Sequence, residues 1–133
     1  YTKYQNKIDH NLSNFDYVGA NLFSAFSVGS IGFFDLILFN PPYVPSLHEE
    51  VGKTPLHAAY AGGINGCEII YPFIHGLHRH LSKPNGCCYL VLIESNGVPS
   101  VIHILKSYNL NAVVSLSRSI GNELLHVLKI SWL

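Results

Sequence analysis

The chain has 133 residues; 48% are hydrophobic, 12% are charged, and the formal net charge is zero. This composition excludes a disordered chain, indicates one globular domain or part of one, and gives no broad basic surface for nucleic acid. No apolar run approaches the roughly 20 residues of a membrane span, and three cysteines do not make a disulfide framework, so we expect a reducing compartment.

The first 34 residues give only weak patterns. The chain begins with Tyr1 rather than Met, which suggests a fragment or a processed chain. Residues 1–14 are polar and mixed, as expected of a frayed arm. Residues 15–20 predict a short, weak strand, and Asn21 and Leu22 follow it.

Residues 35–43 form the first strong pattern. Leu36–Phe39 is a continuous apolar run, as expected of a strand that is buried on both faces of a parallel sheet. Pro41 stops the strand and pushes Asn40 into an extended backbone, and Pro42 does the same to Pro41. We therefore expect the Asn40 side chain at the carboxyl end of a buried strand, where open α/β sheets bind their ligands.

The residues at this strand end are suited to holding a planar amino group. The Asn40 carboxamide offers an uncharged acceptor oxygen, and a carbonyl of the proline pair offers a second one. Two converging acceptors can orient an amide or an exocyclic amine, while Tyr43 can cover its flat face. An amide nitrogen is a poor nucleophile, so placing it in line with a strong electrophile is the main catalytic task. The alternative is an ordinary Asn-Pro turn at the end of a strand.

Residues 44–65 predict a long irregular segment directly after this strand. Loops of this length in a compact domain are usually functional or mobile, so a substrate-facing loop is one interpretation and an exposed connector is the other. His48, Glu49, Glu50 and His57 lie in this segment, but no metal-ligand spacing relates them. We therefore predict no metal site.

The middle of the chain has the pattern of an α/β protein. Residues 66–81 predict a helix with one apolar face and with Asn65 as its cap, while Pro72 lies beyond the first turn and predicts a kink. After a turn, Cys87–Ile93 predicts a second buried strand, and residues 99–107 predict a helix.

Residues 113–117 and 124–132 predict two final strands. The link of residues 119–123 is too short for a parallel crossover, so the two strands must be antiparallel. The polar residues Glu94–Asn96 end the preceding buried strand and should lie beside Asn40 if the two buried strands are neighbours.

The tetrapeptide of residues 40–43, Asn-Pro-Pro-Tyr, resembles the signature of amino-methylating, S-adenosylmethionine-dependent methyltransferases. The surrounding residues narrow the resemblance to the HemK group, and within it to the eukaryotic release-factor glutamine methyltransferases. The resemblance covers residues 15–132, and the segments that carry it are 39–45, 50–52, 58–66, 116–118 and 128–129.

The resemblance implies a fold and a set of catalytic residues. The fold is α/β, namely the carboxy-terminal portion of a Rossmann-like class I methyltransferase sheet with a terminal antiparallel hairpin. The implied catalytic residues are Asn40, Pro41, Pro42 and Tyr43. Asn40 and the Pro41 carbonyl would orient the substrate amide, and Tyr43 would pack on it.

The resemblance also implies a cofactor and partners. The methyl donor is S-adenosyl-L-methionine, with Asn21, Leu22 and Asn40 as cofactor-binding residues. The substrate is the glutamine of the Gly-Gly-Gln motif in a class I translation release factor. A small zinc-binding activator protein pairs along residues 16–20 by strand addition. The expected location is the cytoplasm, with the nucleus as a second location.

The resemblance begins in the middle of the family fold. The family's glycine-rich loop and its ribose-binding acid have no counterpart in residues 1–34. We therefore interpret residues 1–133 as a partial methyltransferase domain, in which residues 35–133 form the core portion and residues 1–34 are poorly packed. Two alternatives stay open: a non-catalytic remnant or binding module, and an adenine-N6 methyltransferase acting on nucleic acid, against which the neutral charge weighs.

Overall fold

The computed structural model describes residues 14, 16, 18–26 and 32–133. Their fold is built around a four-stranded sheet. In chain order, the strands are β1 (Leu36–Phe39), β2 (Cys87–Ile93), β3 (Leu110–Ile120) and β4 (Glu123–Trp132). The α-helices are α1 (His57–Tyr60), α2 (Ile70–His80) and α3 (Val98–Ser107). Single turns of 3-10 helix cover His48–Glu50, Ile64–Gly66 and Glu94–Asn96.

The strand order β1-β2-β4-β3 combines one parallel pair with an antiparallel hairpin. β1 and β2 run parallel, with Phe39 beside Leu90, whereas β4 runs antiparallel to both β2 and β3. The predicted hairpin is confirmed. Both of its strands are longer than predicted, because they pair along their whole length apart from an irregularity between Val114 and Leu116. The parallel pair brings Asn40 to the same edge of the sheet as the residues that follow β2.

The core lies between one face of the sheet and helices α2 and α3. Side chains that alternate along the strands meet the apolar faces of both helices, and the fully buried members are Ile70, Ile74, Leu77, Cys88, Leu90, Leu92, Val101, Leu105, Leu128 and Ile130. The opposite sheet face is open at β1, where Leu36 and Leu38 are 53% and 71% exposed. The prediction that β1 is buried on both faces is therefore wrong, because the described helices cover only one of them.

Helix α2 differs from its prediction at the start. It begins at Ile70, so Pro72 lies in its first turn, where the missing N–H costs no helical hydrogen bond and no kink is required. Asn65 does not cap this helix, since it lies in the preceding turn with a φ of 54°, and Ile69 takes the cap position without a side-chain bond. The cap prediction is wrong because Ile64–Gly66 forms a separate turn.

The segment before β1 reaches the core through Phe23, whose ring stacks on that of Phe73 with centroids 5.2 Å apart. The strand predicted for residues 15–20 is wrong for its described residues, 16 and 18–20, because none of them has strand conformation. Its other two residues lie outside the described part. The poor packing expected of residues 1–34 stays a prediction, because much of that segment lies outside the described part as well.

The three cysteines, Cys67, Cys87 and Cys88, are free thiols. Burial, followed by the charge of the neighbouring Cys87, raises the pKa of Cys88 to about 12, so this thiol stays neutral in the core. Within residues 14, 16, 18–26 and 32–133, no helix has the length and apolar character to cross a bilayer. In the same described residues, no three His, Cys, Asp or Glu side chains gather as metal ligands.

Candidate functional site

Asn40 follows β1 directly and presents a free carboxamide. The residue is exposed, and its side chain makes no hydrogen bond to any residue that the structure describes. Its backbone is fixed on one side by the pairing of β1 with β2 and on the other by Pro41, which is buried. A side chain held in this way keeps its acceptor oxygen and both N–H donors for a ligand.

Asn96 ties the backbone of Tyr43 to the end of β2. The Asn96 Nδ2 donates to the carbonyl oxygens of Tyr43 and Asn65, both at 2.9 Å, and the Oδ1 accepts from the Ile93 N–H at 2.8 Å. Asn96 is 2% exposed, so water does not compete for these bonds. The backbone three residues after Asn40 is thereby anchored to the central strand of the sheet.

A glycine-rich turn packs its backbone against the same segment. A Cβ on Gly62 would lie 2.6 Å from the Pro42 carbonyl oxygen, and a Cβ on Gly66 would overlap the Tyr43 carbonyl group. Gly66 also has a φ of +67°, which side chains other than glycine rarely adopt. Residues 62–66 therefore approach the strand end more closely than any side chain would permit.

Residues 44–65 are more ordered than the predicted irregular segment. Val44 and Ala61 form an isolated parallel β-bridge that joins the two ends of this segment. His48 Nδ1 lies 2.6 Å from the Glu68 carboxylate, which also accepts from the Ile64 N–H at 3.1 Å. The Ile64 bond and then His48 hold the pKa of Glu68 below its ordinary value. Residues 44–65 are thus attached to the residues just before α2, beside the carboxyl end of β1.

An apolar cavity of about 310 Å³ runs alongside β1. The residues that line it are all of apolar type, namely Leu22, Phe23, Phe26, Phe34, the four residues of β1 and Phe73. Of the three predicted cofactor-binding residues, only Leu22 lines this cavity. Asn40 lies beyond the end of the strand rather than along it, and Asn21 is exposed, with its N–H donating to Ser24 Oγ at 3.1 Å. Asn21 and Asn40 therefore do not line this cavity, and the cofactor-binding roles of all three residues stay predictions.

The cavity lining fits only part of S-adenosylmethionine. Its aromatic and aliphatic side chains can pack on a flat adenine ring. They offer no carboxylate for the ribose hydroxyls and no polar donor for the amino-acid carboxylate. The residues that line this cavity therefore do not by themselves form a complete site for this cofactor.

The four predicted catalytic residues form a rim at the end of β1, and they differ in their exposure to solvent. Asn40 is exposed, Pro41 is buried, and Pro42 and Tyr43 are half-buried. Their catalytic roles stay predictions. Sequence reasoning placed Asn96 near this rim but did not assign its bonds to the rim backbone. The available signal was a polar residue directly after a buried strand, a position where an amide side chain can bond the neighbouring backbone.

Replacing Asn96 with alanine should destabilise the chain by about 3 kcal/mol, since three bonded groups each lose a partner worth about 1 kcal/mol. Urea unfolding measures the change. The exposed neighbour provides the control, because Ser95→Ala should change the free energy of unfolding by less than about 0.5 kcal/mol. Equal stability of the two variants would show that the Asn96 bonds contribute nothing to the native state.

The chain is similar in sequence to known methyltransferases. Methyltransferase HEMK2 of Homo sapiens is 43% identical over 95 residues, which are 71% of this chain and 44% of that protein. The eRF1 methyltransferase catalytic subunit mtq2 of Schizosaccharomyces pombe is 33% identical over 98 residues, 72% of this chain and 42% of that protein. No protein-family model matches the chain.

The chain is also similar in fold to a solved structure. The E. cuniculi Mtq2-Trm112 complex, responsible for the methylation of the eRF1 translation termination factor, gives a TM-score of 0.67 at 24% identity. The alignment covers 96% of this chain and 67% of the matched chain. The predicted α/β, Rossmann-like methyltransferase fold is thereby confirmed.

The two sequence relatives agree on the family, although the chain spans less than half of their length, 44% and 42% respectively. The family assignment rests on sequence identities of 43% and 33% over 71% and 72% of this chain. The chain belongs to the HemK-type methyltransferases.

Proposed function

We propose that this chain carries the substrate-holding part of an enzyme that methylates the side-chain amide of a protein glutamine. The observation that carries the proposal is the free Asn40 carboxamide, exposed at the end of β1 and followed by the buried Pro41. An unbonded amide on a rigid backbone is suited to binding another amide, because both groups are planar and each has a donor and an acceptor.

In the proposed complex, Asn40 Oδ1 and the Pro41 carbonyl accept hydrogen bonds from the two N–H groups of the glutamine amide. Tyr43 packs on the face of that amide, while Asn96 keeps the Tyr43 backbone in place. These bonds set the direction in which the nitrogen lone pair points without adding a charge. A strong base is not required, because the amide proton can leave after the methyl group has been transferred.

The proposed methyl donor is S-adenosyl-L-methionine, as the methyltransferase relatives imply. The proposed substrate is a class I translation release factor, and the proposed partner is a small zinc-binding activator. Two names support a release-factor substrate and a partner protein: the S. pombe relative is an eRF1 methyltransferase, and the E. cuniculi structure is a complex with Trm112. Residues 16–20 would pair with the partner by strand addition.

The test is methyl transfer to a class I release factor, followed by mass spectrometry of the peptide that contains its Gly-Gly-Gln motif. The reaction is run with S-adenosylmethionine, with the chain alone and with a Trm112-type partner added. We expect one methyl group on the motif glutamine. Absence of the methyl group in both reactions would contradict an enzyme and favour a binding module. Methylation of adenine in oligonucleotides instead would favour the nucleic-acid alternative.

A further inference from the structure

A chain of three hydrogen-bonded side chains lies outside the residues assigned to methyl transfer. It consists of Glu94, His126 and Ser117. His126 Nε2 lies 2.7 Å from Glu94 Oε2, and His126 Nδ1 lies 2.8 Å from Ser117 Oγ. Ser117 on β3 is the direct cross-strand partner of His126 on β4, and Glu94 follows β2. Strand register therefore holds the three side chains in place.

The positions of the protons follow from the chemistry of the three groups. An ionised carboxylate can only accept hydrogen bonds, so the His126 Nε2 carries the ring proton and donates it to Glu94. When the ring is neutral, its Nδ1 has a free lone pair, and the Ser117 hydroxyl donates to it. In a nucleophilic serine site, the serine hydroxyl donates to a histidine base, and a carboxylate orients that histidine. The three side chains have this arrangement.

The exposure of Ser117 allows a reagent to reach its hydroxyl group. His126 is 7% exposed, whereas Ser117 is exposed to solvent. The buried ring is fixed by its two bonds, while the serine oxygen is accessible from outside. β3 is also an edge of the described sheet, so no other described strand covers Ser117 from that side.

We propose that Ser117 is a base-activated nucleophile that accepts acyl groups from activated esters and thioesters of small acids. The Ser117 Oγ forms a bond to the acyl carbon, and the bond from that carbon to the leaving oxygen or sulfur breaks. The hydroxyl proton moves to His126 Nδ1 and then to the leaving group. Glu94 stabilises the imidazolium that forms between these two transfers. The product is an ester on Ser117, and no oxidant or reductant takes part.

The experiment uses p-nitrophenyl acetate as the acyl donor and peptide mass spectrometry to locate the acetyl group. Ser119 is a matched internal control, because it is exposed on the same strand but lies opposite Leu124 instead of a histidine. A general base accelerates such a step by about 100-fold or more, so we expect Ser117 to be acetylated about 100-fold faster than Ser119.

A second variant separates activation from simple accessibility. Glu94 is exposed, so Glu94→Gln should preserve the fold, which circular dichroism verifies. The glutamine NH₂ can donate to His126 Nε2 and move the ring proton to Nδ1, so acetylation of Ser117 should slow by at least about tenfold. Ser119→Ala should leave that rate unchanged. Equal rates at Ser117 and Ser119, or an unchanged Ser117 rate in Glu94→Gln, would overturn the proposal. Neither measurement depends on methyltransferase activity.

Discussion

Asn40→Ala should lower the kcat/KM of methyl transfer to the release-factor glutamine by at least about 100-fold, because the substrate amide loses one of its two orienting acceptors. The same change should leave the free energy of unfolding within about 0.5 kcal/mol of the original, because surface substitutions away from packed features rarely cost more. Asn40 is exposed, and its side chain makes no hydrogen bond to any residue that the structure describes. Initial rates and urea unfolding measure the two quantities.

The control for this substitution is Asn85→Ala. Asn85 is also an exposed asparagine, but it lies in the turn before β2, at the opposite end of the parallel pair from Asn40. Its replacement should change neither the rate nor the stability. If methyl transfer persists in Asn40→Ala at a rate close to that of the Asn85 variant, Asn40 does not hold the substrate amide.

Gly66→Ala should destabilise the chain by about 4 kcal/mol, as the sum of a strained positive φ and an overpacked contact. The added Cβ would overlap the Tyr43 carbonyl group and would lie 2.5 Å from Asn96 Nδ2. The Tyr43 carbonyl and Asn96 Nδ2 are hydrogen-bonded to each other, so neither group can move away from the added Cβ without breaking that bond. Chemical denaturation measures the loss.

Gly52→Ala separates the two causes. Gly52 has a φ of +70°, close to the +67° of Gly66, but a Cβ there would meet no atom within 4 Å. This variant should therefore show only the conformational cost, about 1 kcal/mol. Similar losses at both positions would mean that the turn of residues 62–66 does not pack tightly against Tyr43.

The sequence predicts the sheet well where strands are long and apolar. β2 matches its predicted bounds, because a run of seven apolar residues between a turn and a polar segment is typical of an interior strand. The hairpin of β3 and β4 is also confirmed, because a short link between two strands leaves no other pairing. Strand bounds in the hairpin were less accurate, since the exposed half of β3 carries no burial pattern.

Sequence reasoning failed where the outcome depended on which face a neighbour covers. An apolar run does not show whether one or both sides of β1 are packed, and here Leu38 is 71% exposed. It also failed at Asn65, whose residue type suits a helix cap and a tight turn equally well. The close approach of the Gly66 and Tyr43 backbones decided for the turn.

The sequence by itself determined the family and the position of Asn40 at a strand end, because proline terminates a strand through covalent geometry that no partner can change. Only the tertiary structure decided that Asn96 anchors the Tyr43 backbone, and that Leu22 lines the cavity beside β1 whereas Asn21 and Asn40 do not. Residues far apart in the chain meet only after the sheet and helices have packed. Their contacts therefore depend on the arrangement of the whole domain and not on local sequence.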